Sequence, residues 1–231
     1  MIDIARYFAI PFSSPGISLN EILAFATDSH QRMIANNTGG AFTTNIAATA
    51  SVIATLGTCS ADDITKLGLR KAAKQAKDTF RGTLPAAIHK IHAKFLAQYG
   101  DPSPQLTQCF PAGRSIWQSE VDDKIDDRLQ ALINALSPLI ITMGGTASAD
   151  TTALLTAWTA LYNASEATTG AKSTTQAEKK VAREALDRQL SLNVLAVAIK
   201  FIGQPEKAAV YFQQHLIEDH PAAPPAVPPV P

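Results

Sequence analysis

Apolar residues recur at helical spacing along almost the whole chain, and this periodicity restricts the fold more than any other feature. No segment of useful length alternates apolar and polar residues, as a half-buried strand would. Alanine, the strongest helix former, supplies 39 of the 231 residues. The sequence therefore predicts an all-α protein. Its clearest seam repeats at intervals of four, three and four residues and consists of Leu84, Ile88, Ile91 and Phe95.

Turn and capping signals divide the helical pattern into about seven or eight helices. The first helix follows Ser18, which forms a capping box with Glu21. One helix is predicted over about 116–136, and its inward positions are Val121, Ile125, Leu129, Leu132 and Leu136. A short last helix is predicted from Pro205 to near Ile217. Short connections between such helices favour an antiparallel helical bundle. Breaks are predicted at Gly57–Ser60 and along the polar residues 165–174, and a kink or a restart is predicted at Gly82–Pro85.

We expect one bundle domain over residues 18–220 with a single main core. An extended arm over 1–17 precedes it, and a proline-rich tail over 221–231 follows. The arm should bury apolar side chains such as Phe8, Ile10 and Phe12. The main seam should share its core with Leu129, Leu132 and Leu195, and a second inward seam should comprise Val181, Ala185, Leu192, Leu195, Ile199 and Ile202.

The balance of charge argues against nucleic acid and membrane partners. Lysine plus arginine and aspartate plus glutamate each total 20, and only 17% of residues are charged. Binders of nucleic acid or of anionic membranes carry a basic excess, which this chain lacks. The first sixteen residues do not have the pattern of a signal peptide, and no window holds 18 consecutive apolar residues. We therefore expect a cytoplasmic protein, and its two cysteines cannot form a disulfide framework.

Two rows of opposite charge form the candidate site for a protein partner. The basic row follows i, i+4, i+7 and i+11 and so lies on one helical face. The acidic group contains i, i+4 pairs whose repulsion costs about 0.2–0.5 kcal/mol each, which a partner would relieve. The candidate residues are Arg70, Lys74, Lys77 and Arg81 on the basic side and Asp122, Asp123, Asp126 and Asp127 on the acidic side.

Several interpretations of these rows stay open. Each row can be a solvated helix face, and the acids suit the first turns of a helix. The rows can also meet each other within one chain or across an assembly. The acidic group has the ligands of a Ca²⁺ or Mg²⁺ site but not the spacing of an EF-hand. The basic row can contact nucleic acid, although no aromatic residues interleave it.

Catalytic motifs of the common classes are absent from the sequence, which favours a protein that is not an enzyme and needs no cofactor or metal. His89 and His92 have the i, i+3 spacing of a shared metal site. No further ligand lies near them in sequence, so a structural or solvent-exposed pair is the simpler interpretation. Cys59 and Cys109 lack neighbouring partners that would activate a thiol.

Two stretches of the chain, residues 42–110 and 151–217, share an order of features that suggests two duplicated helical hairpins. Each opens with a helix rich in alanine and threonine and ends in a Gly-x-Pro turn. With the connecting segment, the pattern resembles uncharacterised all-helical proteins of environmental bacteria. The resemblance implies an all-α fold and carries over no functional residues. The connecting motif comprises Phe110, Pro111, Gly113, Arg114 and Trp117.

The sequence favours a non-enzymatic helical scaffold or protein–protein interaction module that self-associates or belongs to a larger assembly. One alternative is a helical-bundle enzyme or a protein that binds a cofactor or metal through dispersed side chains. A second alternative is an adaptor whose proline-rich tail, residues 221–231, is a ligand for an aromatic groove.

Overall fold

The computed structural model describes residues 11–143 and 145–217, and these residues contain α-helices, 3₁₀ turns and loops but no strand. The prediction of an all-α protein is confirmed. Three of the 3₁₀ turns span Pro11–Ser13, Asp122–Lys124 and Gln214–Ile217. The helices are α1 (Leu19–Ala35), α2 (Thr43–Tyr99), α3 (Pro104–Cys109), α4 (Ile116–Ser119), α5 (Ile125–Leu136), α6 (Ile140–Met143), α7 (Thr146–Lys200) and α8 (Pro205–Ala209).

The start of α1 follows the predicted capping box. The Ser18 amide donates to the Glu21 carboxylate at 2.6 Å, and the Glu21 amide donates to the Ser18 hydroxyl at 3.3 Å. These two bonds satisfy amides that the first turn of a helix leaves without an intrahelical partner. The helix ends at Ala35, and the Asn36 amide caps it by donating to the Arg32 carbonyl at 3.0 Å.

Two long helices, α2 with 57 residues and α7 with 55, replace the shorter helices that the sequence predicts. The predicted breaks at Gly57–Ser60 and along residues 165–174 are wrong, and α2 does not restart at Gly82–Pro85 but continues through it. A glycine inside a helix costs about 1 kcal/mol, and a proline about 3 kcal/mol. Near Pro85 this cost is offset by the complete burial of Leu84 and Ile88. Residues 165–174 are polar but contain no proline, so every backbone amide can still donate within the helix. The alanines of this stretch also favour the helical conformation.

The predicted helix over about 116–136 is instead two helices. Glu120 and Val121 are extended, with ψ of 142° and 145°, and they separate α4 from the 3₁₀ turn that leads into α5. The inward positions of α5 are confirmed, since Ile125, Leu129, Leu132 and Leu136 are buried. Val121 was expected inward but is exposed, because it lies in the extended break. The last predicted helix is also shorter than expected, since α8 ends at Ala209.

The described residues divide into two compact units. The first unit comprises residues 11–64 and 174–217, and the second comprises residues 65–173. The long helices α2 and α7 each contribute residues to both units. The expected single domain over 18–220 stays a prediction.

In the first unit, α2 and α7 run antiparallel. The Asn45 side chain donates to Asn193 at 3.1 Å, while Asp63 and Lys179 pair at 3.2 Å near the other end of the unit. Phe12 is buried against Phe25 of α1, with ring centroids 5.4 Å apart, as expected for the N-terminal arm. Phe8 and Ile10, and the tail over 221–231, lie outside the described residues. The fully or nearly buried core comprises Phe12, Ile17, Ile22, Phe25, Ala26, Leu56, Ala182, Leu186 and Leu190.

The second unit has its own core, built on the main predicted seam. Phe80 of α2 lies 6.3 Å from Trp158 of α7, and Lys94 pairs with Asp150 at 2.8 Å, so these stretches also run antiparallel. The seam packs with α5 as expected, but Leu195 is exposed and belongs to the first unit. Its predicted place in this core is wrong. The buried cluster includes Leu84, Ile88, Ile91, Phe95, Trp117, Ile125, Leu129, Leu132, Leu136 and Trp158.

The prediction of the second inward seam is wrong, because its residues lie on the exposed face of α7. The neighbouring face is buried instead, through residues such as Leu186, Leu190 and Val197. The buried face also includes Asn193, which receives the Asn45 amide and donates to Thr49 at 2.8 Å. The apolar residues expected inward are therefore exposed, and these are Val181, Ala185, Leu192, Leu195, Ile199 and Ile202.

Candidate functional site

The basic row on α2 meets the acidic group inside the second unit. We call the stretch that carries this group, residues 122–127, the acidic segment. The Lys77 ammonium donates to Asp122 Oδ2 at 2.6 Å, and Arg81 Nε lies 3.6 Å from Asp122 Oδ1. Arg81 also donates to the carbonyl oxygens of Trp117 and Glu120, each at 2.7 Å. These carbonyls lie at the end of α4, where a helix leaves its last carbonyls unpaired. Arg81 therefore joins α2 to the end of α4 and to the acidic turn.

The acidic segment also contacts α7. The Tyr162 hydroxyl donates to Asp123 Oδ1 at 2.6 Å, and the Thr159 hydroxyl donates to Asp126 Oδ1 at 2.9 Å. The Lys77 ammonium lies 5.7 Å from the centre of the Tyr162 ring, which is within cation–π range. The turn Asp122–Lys124 and the start of α5 are thus held between two helices by polar bonds.

These bonds move two pKa values away from the neutral range. The hydrogen bond to Asp122 raises the pKa of Lys77, and burial opposes that effect in part. The hydrogen bond to Asp123, followed by desolvation and nearby carboxylates, raises the pKa of Tyr162 to about 12. Both groups stay protonated at neutral pH, so they hold the segment in place rather than exchange protons.

Five of the eight predicted site residues bond to residues of another element of the chain, namely Lys77, Arg81, Asp122, Asp123 and Asp126. The other three are exposed. Lys74 pairs with Asp78 of its own helix at 2.7 Å, and both side chains are more than half exposed. Arg70 and Asp127 lie at the solvent-facing ends of the two rows. The two rows therefore meet within one chain through Lys77, Arg81 and Asp122, whereas Asp123 and Asp126 bond to α7.

A second polar cluster, which the sequence did not predict, lies in the first unit. Arg183 Nε donates to Asp187 at 2.8 Å, and its guanidinium donates to the Phe12 carbonyl at 3.1 Å. Longer bonds of 3.4 Å reach the Ile17 carbonyl. Burial raises the pKa of Asp187, and the adjacent Arg183 opposes this. The i, i+4 spacing of Arg183 and Asp187 is visible in the sequence, but nothing there indicates carbonyls 166 or more residues away.

The histidine pair and the cysteines do not form a reactive site. His89 bonds through Nδ1 to Arg114, whereas the His92 ring packs edge-on against Phe110 with centroids 4.9 Å apart. Burial, with Arg114 and His89 nearby, lowers the pKa of His92. Burial raises the pKa of Cys109 to about 11, which disfavours the thiolate. Across residues 11–143 and 145–217, no group of three or more histidine, cysteine, aspartate or glutamate side chains could hold a metal ion.

A partly apolar concave surface lies at the end of the first unit, where α7, α8 and the turn Gln214–Ile217 meet. This groove of about 630 Å³ is lined by aliphatic and aromatic side chains such as Val194, Pro205 and Phe212. His215 is its only titratable lining residue among those the structure describes. Ligand sites usually combine an apolar wall with a few convergent polar groups, and only glutamines and this histidine supply them here.

Large apolar side chains are exposed at several places, and the longest regular row of them lies on α7, with Val181, Leu192, Leu195 and Ile199. A soluble protein scatters single apolar residues over its surface, but a continuous row calls for an explanation. The row defined here as the outward row comprises Val181, Ala185, Leu192, Leu195, Ile199 and Ile202. Elsewhere, the adjacent pair Ile140 and Ile141 is exposed, and single exposed residues are Ile34, Ile64, Leu69, Val121 and Val210.

None of the helices over the described residues combines the length and the apolar character that a membrane crossing requires. Comparisons of the chain with known protein families, with curated proteins and with solved structures find no match.

Proposed function

We propose that this protein is a non-enzymatic helical scaffold or protein–protein interaction module that associates with itself or with other subunits of an assembly. The observation that carries the proposal is the outward row on α7. Five of its six members are large aliphatic residues with about half to three quarters of their surface exposed. Arg188 interrupts the row between Ala185 and Leu192. Exposed apolar surface on both sides of it still favours an interaction site, because covering such surface lowers the free energy.

The charged cluster supports the same proposal in a secondary way. Arg70, Lys74 and Asp127 are exposed, while their neighbours pair within the chain. Exposed charges steer association and select partners more than they add affinity. The cluster would thus orient a protein partner, and the net neutrality of the chain does not favour nucleic acid.

Finer features of the fold belong to the proposal as well. An antiparallel bundle and an internal duplication over 42–110 and 151–217 are supported by the matching ends of the two long helices. Gly100 and Gly203 have φ of 73° and 74°, and each precedes a short helix whose first residue is proline. A cytoplasmic location is supported by Cys59 and Cys109, which are free thiols.

Two alternatives remain as candidate functions. The groove beside Phe212 supports a helical protein that binds an apolar ligand or cofactor. The proline content of residues 221–231 supports an adaptor whose tail binds an aromatic groove. The outward row favours the interaction module over both, since neither alternative explains exposed aliphatic residues on α7.

Light scattering coupled to size exclusion tests the proposal. We expect a solution mass above that of one 24.5 kDa chain, rising with protein concentration. A mass of one chain at every concentration would contradict self-association. Tight binding of a small cofactor by that monomer would favour the first alternative.

A further inference from the structure

The members of the outward row that lie within α7, taken together with Arg188, are spaced symmetrically along the helix. They follow intervals of four, three, four, three and four residues. This is the seam spacing of a coiled coil, in which every third or fourth residue faces a partner helix. Ile202 lies just beyond the end of the helix and extends the row. The six seam positions are Val181, Ala185, Arg188, Leu192, Leu195 and Ile199.

We propose that this seam is a self-association surface, on which the α7 helices of two copies of the chain pack antiparallel with their two-fold axis at residue 190. The proposal rests on the interaction function given above and names its surface and partner. About this axis, Val181 faces Ile199 of the second copy, and Ala185 faces Leu195 of the second copy. These two layers each join a small or medium side chain to a large one, which fills the space evenly.

Arg188 decides between the antiparallel and parallel arrangements. In a parallel pair in register, Arg188 would face Arg188 of the second copy inside the seam, and two like charges would be desolvated together. In the antiparallel pair Arg188 faces Leu192 of the second copy. Its aliphatic stem then covers the leucine while the guanidinium reaches solvent at the edge. Gln189 and Ser191, which flank the axis and face each other across the two copies, carry no charge.

The exposed area is consistent with a weak dimer. Complete burial of a large aliphatic side chain removes on the order of 100 Å² of apolar surface from water. The five large members of the outward row are half to three quarters exposed, so they supply on the order of 300 Å² per chain. Stable interfaces bury about 800 Å² per partner, and the flanking alanine, serine and arginine surfaces supply part of the remainder. The seam by itself is therefore smaller than a stable interface, and we expect the dimer to form only at high protein concentration.

Charge substitution within the seam tests the surface. Leu195→Glu should weaken the dimer at least tenfold, because the carboxylate would be desolvated in the interface. Ile64→Glu is the matched control, since Ile64 is 70% exposed on α2 of the same unit but lies outside the seam. The two variants should keep equal helicity in circular dichroism. An equal loss of mass in both variants, or in neither, would overturn the proposal.

Disulfide trapping tests the orientation. In a Cys59→Ser background, the double variant Ala185→Cys/Leu195→Cys should form a covalent dimer under mild oxidation. Each single variant should not, because in the antiparallel pair position 185 lies about 15 Å along the axis from position 185 of the second copy. A disulfide requires Cα atoms within about 7 Å. Cys109 can stay in place because it is buried.

The outcomes separate this inference from the proposed function. Cross-linking by either single variant would show a parallel pair and overturn the inference alone. If Leu195→Glu left the dimer as stable as before, the chains would associate through another surface. A monomer that Leu195→Glu destabilises while Ile64→Glu does not would mean that the chain covers its own seam, which overturns the second-copy proposal. A stable monomer that neither variant affects would overturn the inference and the self-association together.

Discussion

At the scale of single residues, the same side chain has opposite roles according to the face it occupies. Ile91 is 2% exposed in the core of the second unit, whereas Ile141 in the same unit is 96% exposed. Their hydrophobicity is identical, so only the surroundings distinguish them. The same holds for lysines, since Lys77 bonds to Asp122 while Lys74 bonds along its own helix. Residue type sets the available energy, and position sets whether that energy contributes to stability.

Truncation of Ile91 should show this difference. We expect Ile91→Ala to lower the free energy of unfolding by about 2–5 kcal/mol, since it leaves a cavity in a packed core. Ile141→Ala is the control and should change it by less than about 0.5 kcal/mol, because that side chain is exposed. Urea denaturation followed by circular dichroism measures both. A loss under about 1 kcal/mol for Ile91→Ala would show that its buried environment is wrongly assigned.

Removal of the Asp123 charge should lower the pKa of Tyr162. The hydrogen bond to this carboxylate is the main cause of the rise to about 12, and ionising the phenol beside it places two negative charges together. In Asp123→Asn we expect the pKa to move towards the ordinary value of about 10. Phenolate absorbance as a function of pH measures it. Asp127→Asn, which removes an exposed carboxylate of the same group, should leave the titration unchanged.

At the scale of elements, continuity of the long helices depends on packing more than on propensity. Gly57 lies in α2 directly after Leu56, which is completely buried in the first unit. Pro85 stands between Leu84 and the seam residue Ile88 in the second. A break at either place would expose these neighbours to water at a cost of about 1.5–3 kcal/mol each, which is comparable to the cost of keeping a glycine or proline in the helix.

Charge reversal at Lys77 and at Lys74 should show which lysine holds the acidic segment against α2 and which one is only a surface charge. Lys77→Glu should lower the free energy of unfolding by about 1–3 kcal/mol, because it removes a charged hydrogen bond and sets a carboxylate against Asp122. Lys74→Glu should change it by less than about 0.5 kcal/mol, since that pair is exposed. Thermal and urea unfolding measure the difference. Equal effects would contradict docking of the turn through Lys77, and a fall in solution mass with Lys74→Glu would support a partner-binding role for the row.

At the scale of the whole molecule, the two units differ in how many segments of the chain build them. The second unit is one continuous segment, residues 65–173, with a core drawn entirely from that segment. The first unit is assembled from both ends of the described chain, and Arg183 ties residues near its beginning to α7. The only two tryptophans, Trp117 and Trp158, are buried in the second unit, so their fluorescence reports on that unit alone.

A fragment spanning residues 65–173 should fold by itself. Its core residues make their contacts within the segment, so removal of the rest leaves them buried. We expect a cooperative urea transition in tryptophan fluorescence, with a midpoint close to that of the full chain. The full chain is the control, measured with the same probe. A fragment whose tryptophans emit as in unfolded protein would show that the two units form one cooperative domain, as the sequence analysis expects for residues 18–220.

The sequence by itself determined the helical class, the capping box at Ser18 and the main seam, because these depend on local propensity and spacing. Only the tertiary structure decided where the helices continue. At Pro85 the free-energy cost of a proline inside a helix is offset by the burial of its neighbours against residues distant in the chain. It also decided which face of α7 is buried. Both faces carry apolar residues at helical spacing, and the face with Leu186 and Asn193 is buried because α2 supplies partners such as Asn45 and Thr49 there. The charged rows were visible as patterns, but their pairing joins residues 45 positions apart, a distance that periodicity does not report.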